Sequence, residues 1–511
     1  MSGAAERPQD IFIPPPPGEL LGHPRSLWML FMTEFWERFC FYGMRWMLTL
    51  YIVAQFFSGD PAGQATASQT YGAYLGLVYA TAIAGGYIAD KILGYQRSVL
   101  LGALFISSGL FSLLVPDETV FKFALTLVIV GNGLFKPNIS SMVGKLYAPG
   151  DARRDRGFTI FYMGINAGAF FAPLVTGWIA GQMGYLSLNP ADLQADGLRY
   201  GFATAGAGML VSYFWFLIGR RKLGPVGGAP AGREGWGSMV AVTAAGLLVT
   251  PLIFFLLGQN QWLSGILSSL FLLCCVMLVS AGIKDGSIQR DRIFALLILF
   301  VANIMFWMFF EQAGASFNFL AEGIVDRQMF GGWEFPVGWF QSVNPAAIVL
   351  LAPLVTLLWA WLDKRGMEPN IPRKFGIGLI GNAAAFALLM YALTHLVDDK
   401  SQIPFWTLAA VYVLQTVGEL HLSPIGLSMV TKLAPVRLVG LTMGAWFLSI
   451  SIGNSLAGAF SAWISAEGGE AGMTVVSARD GFTLSFWLLL ATGALVFILA
   501  PFINRLMHGV R

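Results

Sequence analysis

Residues Glu34 to Arg45 read EFWERFCFYGMR, between two membrane-like runs, WMLFMT before and WMLTLYIV after. On a helix, Glu34, Arg38, Phe41 and Arg45 fall within about 60° of one another, and Glu37 flanks them. The stripe extends over about 16 Å of helix rise, and each charge would cost roughly 3 kcal/mol or more against lipid. These side chains must therefore face a wet cavity or charged partners on other helices. The bland alternative is a polar seam inside a helix bundle. An intramembrane cluster of both signs points instead to a substrate or proton site.

The surrounding composition is that of a polytopic membrane protein. Of 511 residues, 56% are hydrophobic and 12% charged, with a mean hydropathy of +0.66. A soluble chain carries about 25% charged residues. Cys40, Cys274 and Cys275 all lie in apolar runs, and the last two are adjacent, so no disulfide is expected. Residues 1–26, with Pro14 to Pro17 in an unbroken run, read as a short disordered cytoplasmic tail without a cleavable signal. No His-rich metal spacing, phosphate loop or nucleophile constellation is present, which argues against an enzyme and against any cofactor or metal.

Apolar runs near 20 residues long predict an all-α protein with fourteen spans. They lie at about 27–57, 68–89, 98–115, 120–147, 156–182, 199–220, 237–257, 262–283, 291–320, 341–362, 374–396, 403–431, 437–465 and 480–505. With both ends inside, only Lys122, Arg199, Arg327, Lys400 and Arg479 fall in outside loops, and Arg38, Arg45 and Lys136 fall in spans. All other Lys and Arg, of 31, are on the inside, as the positive-inside rule requires. Spans seven and eight carry no charge and follow the linker GPVGGAPAG at 224–232. The expected organisation is a tail (1–26), a six-helix bundle (27–222), a linker with an inserted hairpin (223–290) and a second six-helix bundle (291–511).

Further charges sit at informative places. GGYIADKILGYQR (85–97) joins spans two and three through Asp90, Gly94 and Arg97. Taken alone such a turn is a common helix connection. Span four holds Lys136 in GNGLFKPNIS, where Pro137 interrupts the hydrogen-bond ladder. The ninth span holds Glu311 in FWMFFEQAGAS, opposite in sign to Arg38, Arg45 and Lys136, which invites a pair across the bundles. Glu419 lies in TVGELHLSPIGLSMV near Pro424, and His421, about 200° round the helix from it, reads as a packing residue.

Taken in order, these motifs carry a resemblance. The Glu34, Glu37, Arg38, Phe39 pattern, GGYIAD (85–90), GNGLFKPNIS (131–140), FYMGINAGAF (161–170), FWMFFEQ (306–312) and GELHLSP (418–424) cover nearly the whole chain. The 85–97 loop resembles the signature loop of the major facilitator superfamily, which implies that Asp90 caps a helix N-terminus and pairs with basic groups, locking one state. The whole resembles the bacterial proton-dependent oligopeptide transporters of that superfamily.

The resemblance implies the superfamily fold, two six-helix bundles plus an inserted two-helix hairpin, and a proton-coupled symporter importing di- and tripeptides by alternating access. It implies that Glu34, Glu37 and Arg38 form the coupling motif and that Arg38, Arg45 and Lys136 face the peptide carboxylate, alternating with Glu311. It implies that Glu419, with Asn166 and Asn344 (in QSVNP), holds the peptide ammonium and backbone. Tyr42, Tyr79, Trp307 and Trp446 would line side-chain pockets, and Asp90 and Arg97 would belong to the gating loop. Phe41 stands where the family usually has a tyrosine, which removes one hydroxyl from the pocket. Implied partners are small peptides, protons and membrane lipid, with no nucleic acid and a monomer as the working unit. The implied location is the bacterial cytoplasmic (inner) membrane, multi-pass, with both termini cytoplasmic.

Elementary chemistry agrees with a zwitterionic substrate, because a basic trio lies in one bundle and acids in the other. Two rival readings stand beside it. A proton-coupled carrier of another small anion, such as nitrate, would gain nothing from Glu419. A peptide sensor that does not transport would need neither the proton-motif acids nor the paired gate charges.

Overall fold

The computed structural model describes residues 14–185, 187–188, 195–466 and 472–510. Fourteen helical crossings follow one another. The first six are α1 (Arg25–Phe56), α2 (Gly63–Ile88), α3 (Tyr95–Ser112), α4 (Glu118–Lys145), α5 (Arg153–Gln182) and α6 (Asp196–Gly219). The hairpin is α7 (Trp236–Leu257) and α8 (Asn260–Asp285). A crossing broken in two follows, α9 (Ser287–Phe310) and α10 (Ser316–Gly323). The last five are α11 (Val343–Asp363), α12 (Ile371–His395), α13 (Phe405–Leu433), α14 (Val439–Ala466) and α15 (Val475–Leu506). Eleven of the crossings are spans by length and apolar composition alone; α1, which carries the charged stripe, α3 and α13 fall outside that set.

The helices divide as the charge pattern suggests. In the first half α1 packs on α5 and α6, and α4 on α2 and α3; in the second α12 packs on α13 and α15, and α9 on α14. The two halves meet mainly along α2 and α14. There Gly72 leaves no room for a side chain, since a Cβ would lie 2.7 Å from the Gly458 Cα. Small residues let two backbones approach where lipid offers no hydrophobic drive to pack. The Ser68 and Ser461 hydroxyls bond across the same seam at 2.8 Å.

Two local expectations change. Residues 14–24 are not a loose tail: β1 (Glu19–Leu20) pairs antiparallel with β2 (His23–Pro24). The reason is a set of long-range anchors, His23 Nδ1 to the Tyr147 hydroxyl at 2.8 Å and Glu19 to Arg153 at 2.7 Å; residues 1–13 lie outside the described part. Pro137 and Pro424 sit inside α4 and α13, as the expected spans 120–147 and 403–431 have them. The ninth crossing, read as one helix over 291–320, instead gives way at Glu311–Gly314 to a tighter 3₁₀ turn before α10. Such a turn within a span often marks a functional hinge.

Hydrogen bonds between the halves are one-sided. Among the described residues they lie near the middle of the helices and toward the end away from the termini. They include Asn318 Nδ2 to the Trp46 carbonyl (3.0 Å), Trp339 Nε1 to the Leu174 carbonyl (3.1 Å) and the Ser342 hydroxyl to the Phe170 carbonyl (2.8 Å). At the far end a latch forms in which Glu322 accepts from the Leu188 amide at 2.7 Å and pairs with buried Arg327 at 3.5 Å. On the termini side Ile83, Tyr87, Tyr162 and Met163 are exposed. The gap between the halves is therefore closed at the far end and open at the termini end.

Candidate functional site

The stripe on α1 is buried, with Glu34, Glu37, Arg38 and Arg45 all no more than 7% exposed. Arg38 makes the densest contacts. Its Nη2 donates to Glu37 Oε1 at 2.6 Å, its Nε donates to Glu37 Oε2, and the same Nε lies 3.2 Å from Glu34 Oε1. Neighbours in sequence do not normally face each other on a helix. Here the long Arg38 side chain folds back to make a two-pronged pair with Glu37, while Glu34, one turn earlier, supplies the second carboxylate. The other oxygen, Glu34 Oε2, is buried with no hydrogen-bond partner. One guanidinium thus faces two carboxylates, and the group holds one unsatisfied buried acceptor.

Arg45, two turns further along α1, reaches the other half of the molecule. Its Nη2 meets Glu311 Oε2 at 2.7 Å. Its Nε donates to the Tyr71 hydroxyl at 2.7 Å, and that hydroxyl donates to Glu311 Oε2 at 3.2 Å. Tyr71, on α2, is a site residue that the sequence reading missed. The nearest sequence signal is Gly314, which begins no helix and caps no turn with positive φ. A Cβ there would lie 1.8 Å from the Tyr71 hydroxyl, so only glycine leaves space for the triad.

Lys136 is half-buried and makes no ion pair among the described residues. Its Nζ stands 3.9 Å from the centre of the Tyr79 ring and 5.9 Å from that of Phe41. Phe41 also lies under Arg38, at 5.0 Å. The position that departs from the family's tyrosine is therefore a shared π face for two cations, each contact worth about 0.5–2 kcal/mol. Tyr42 lies beside Phe41 and Arg45.

On the opposite half, α11 and α13 build the acidic pole. Asn344 Nδ2 donates to Glu419 Oε2 and to the Thr416 hydroxyl, both at 2.9 Å. Glu419 is in no ion pair among the described residues. One pole thus has a cation outside any ion pair and the other an anion outside any ion pair.

Other expected residues fall elsewhere. Asn166 is buried and donates to the Tyr162 carbonyl in its own helix at 2.9 Å, without joining Asn344 and Glu419. Trp307 is half-buried, held by Asn303 at 3.1 Å and packed on Phe306 and Phe310. Trp446 does not line the gap: it is 2% exposed, packed on Phe300 and Phe375 and over Gly426. Its bulk fills the interior of the second half, a use that period and type alone do not distinguish from cavity lining. Asp90 accepts from the Tyr95 hydroxyl rather than from a basic group. Arg97 instead clamps the linker, donating to the carbonyls of Arg233 (3.2 Å), Gly235 (3.1 Å) and Glu234. His421 packs edge-on against Trp359 and bonds the Val417 carbonyl, a packing role as expected.

Comparison with known proteins places this geometry. The sequence profile of the POT family matches residues 96–473. Peptide transporter YePEPT of Yersinia enterocolitica is 36% identical over 518 residues, covering 96% of each chain. The di-/tripeptide transporter of Lactococcus lactis subsp. cremoris is 35% identical, covering 85% of this chain and 88% of its own. Among solved structures, a mutant of peptide transporter POT in complex with alafosfalin superposes with a TM-score of 0.80 at 32% identity, covering 97% of this chain and 98% of that one. A POT family transporter in complex with 5-aminolevulinic acid gives 0.79 at 28% identity, covering 96% and 99%. With a family profile spanning most of the sequence and relatives matched over nearly their whole length, the chain belongs to the POT family.

Proposed function

We propose that the protein is a proton-coupled symporter that carries di- and tripeptides into the cell by alternating access. The observation that carries this reading is a pair of poles of opposite sign, Lys136 and Glu419, neither of which is in an ion pair among the described residues. A short peptide with free ends supplies both missing charges at once. Its carboxylate goes to Lys136 and the neighbouring Arg38, and its ammonium to Glu419. Tyr42, Tyr79 and Trp307 border the space for side chains. Named relatives that transport peptides, and a related structure that holds alafosfalin, support the same substrate class. Nitrate fits less well, because it leaves Glu419 unmatched.

In this reading the moving units are 27–222 and 291–511, and 223–290 rides between them as linker and hairpin. The working unit is the monomer, in the bacterial cytoplasmic membrane with both termini inside, so the open end faces the cytoplasm. Impermeant thiol reagents applied from outside should label a cysteine placed in 258–261 and spare one in 224–232. The reverse pattern overturns this orientation. The function itself is tested by uptake of labelled dialanine into proteoliposomes with and without an acid-outside gradient; failure to accumulate on the gradient would refute it.

The amine assignment has its own test. Glu419→Gln should weaken free-amine dipeptides by roughly 10- to 150-fold, the equivalent of one charge-assisted hydrogen bond. N-acetylated analogues should lose little. Equal losses for both would assign the ammonium elsewhere.

A further inference from the structure

Outside the gap just described, an apolar cleft of about 490 Å³ lies between α2, α4 and α7. Its floor is the crossing of α2 and α4 at Gly85 and Gly133, and its walls include Ile88 on α2 and Ala241, Ala245 and Val249 on α7. The Thr81 hydroxyl within it is already satisfied by the Leu77 and Ile129 carbonyls. Along α7 the lining extends from Ser238 to Val249. That is about 16 Å of helix, half of a hydrocarbon core of about 30 Å, or the depth of one leaflet.

The mouth at the termini end has a different chemistry. Arg233 lines it, and among the described residues its guanidinium has no hydrogen bond or ion pair. Its backbone is nonetheless fixed, because its carbonyl accepts from Arg97 and from the Ser238 hydroxyl, both at 3.2 Å. Beside it Trp236 is 79% exposed at the start of α7, the position and residue type of an interfacial anchor. An apolar slot one leaflet deep, ending in a positioned and unmatched cation at headgroup level, has the form of a lipid site.

We propose that this cleft binds an anionic phospholipid of the surrounding membrane, one acyl chain lying between α2 and α7 and the phosphate at Arg233. The bound chain fills the space that separates the hairpin from α2, the helix that carries Tyr71 and Tyr79. A zwitterionic lipid offers the same chain but cancels the phosphate charge, and a free fatty acid offers a carboxylate without the glycerol body.

The test uses the full chain in phosphatidylcholine vesicles carrying a minor share of phosphatidylglycerol with a photoreactive acyl chain. Irradiation should crosslink peptides covering 81–92 and 238–249. Ala245→Trp, which fills the slot, should abolish those crosslinks. Arg233→Ala should reduce them about five-fold, the effect of one basic residue at a charged surface. Arg233 is exposed and outside the helices, so its variant keeps the test valid even where Ala245→Trp fails to fold. The same probe on phosphatidylcholine should label at least five-fold less, and palmitate should not compete. Labelling that ignores Arg233→Ala, equal labelling by both headgroups, or competition by palmitate would each overturn the proposal.

Discussion

Replacing Glu34 and Glu37 together by Gln is expected to abolish peptide accumulation driven by a pH gradient while leaving peptide counterflow intact. The geometry sets the reasoning. Arg38 is 4% exposed and bonded to both carboxylates, and Glu34 Oε2 is buried without a donor. Protonating Glu34 places a hydrogen on this side of the pair and weakens its hold on Arg38, leaving Glu37 as the main anion. A peptide carboxylate can then compete for the same guanidinium. Each exchange keeps the buried charge paired, which matters because an orphaned buried charge costs several kcal/mol. One proton moving through about 100 mV supplies about 2.3 kcal/mol, enough for roughly 50-fold accumulation. In the double variant Arg38 has no carboxylate of its own, so peptide binding should hold or strengthen while its link to the gradient is lost. If the charges only fasten α1 to its neighbours, binding, counterflow and driven uptake should all fall together. A double variant that still concentrates peptide on a pH gradient moves the proton site elsewhere, with Glu311 next in line.

How much of this was legible in the sequence depended on whether a partner was local. The α1 stripe was readable because helical period alone brings Glu34, Arg38 and Arg45 to one face, and lipid forbids that face to be exposed. Span count and the separation of the hairpin were readable for the same reason: hydropathy and loop charge act segment by segment. Tyr71 was not, because its partners are Arg45, 26 residues away, and Glu311, 240 residues away. Nothing in the apolar and small residues around it marks such a contact. Period also fails to say which of two apolar surroundings a large residue meets. Trp446 shares its type with Trp307, yet it fills the interior of one half while Trp307 remains half-buried. The 85–97 loop misled in a finer way. Its acid and its base suggested one another, but Asp90 took the nearby Tyr95 and Arg97 took the carbonyls of the linker. The break at Glu311–Gly314 had no proline to announce it, and it falls where Glu311 meets Arg45 and Tyr71 from the other half.

Removing Glu311 is expected to open the end that this structure holds shut. The Arg45–Glu311 pair, 2.7 Å apart and less than 10% exposed on both sides, is a buried ion pair between the halves. Glu311→Ala leaves Arg45 buried without an anion, which typically costs about 3–5 kcal/mol. That cost falls on the closed state, where Arg45 is sealed in, and is relieved where water reaches it. The balance between far-end-closed and far-end-open forms should then shift by a factor of roughly a hundred to several thousand. Tyr71→Phe removes the hydrogen bonds to Arg45 and to Glu311 but keeps their ion pair, and should shift the balance in the same direction by less, about 10- to 150-fold. The latch at Glu322 and the bonds of Asn318, Trp339 and Ser342 oppose the opening but carry no unmatched charge when it occurs. Spin labels at the exposed far-end positions 60 and 400, one on each half, read the result as a distance. The wild type should give one short distance, Glu311→Ala a longer one, and the charge swap Arg45→Glu with Glu311→Arg the short distance again. Should Glu311→Ala keep the wild-type distance, the pair does not gate the far end, and the latch at Glu322 and its neighbours alone holds the closed form.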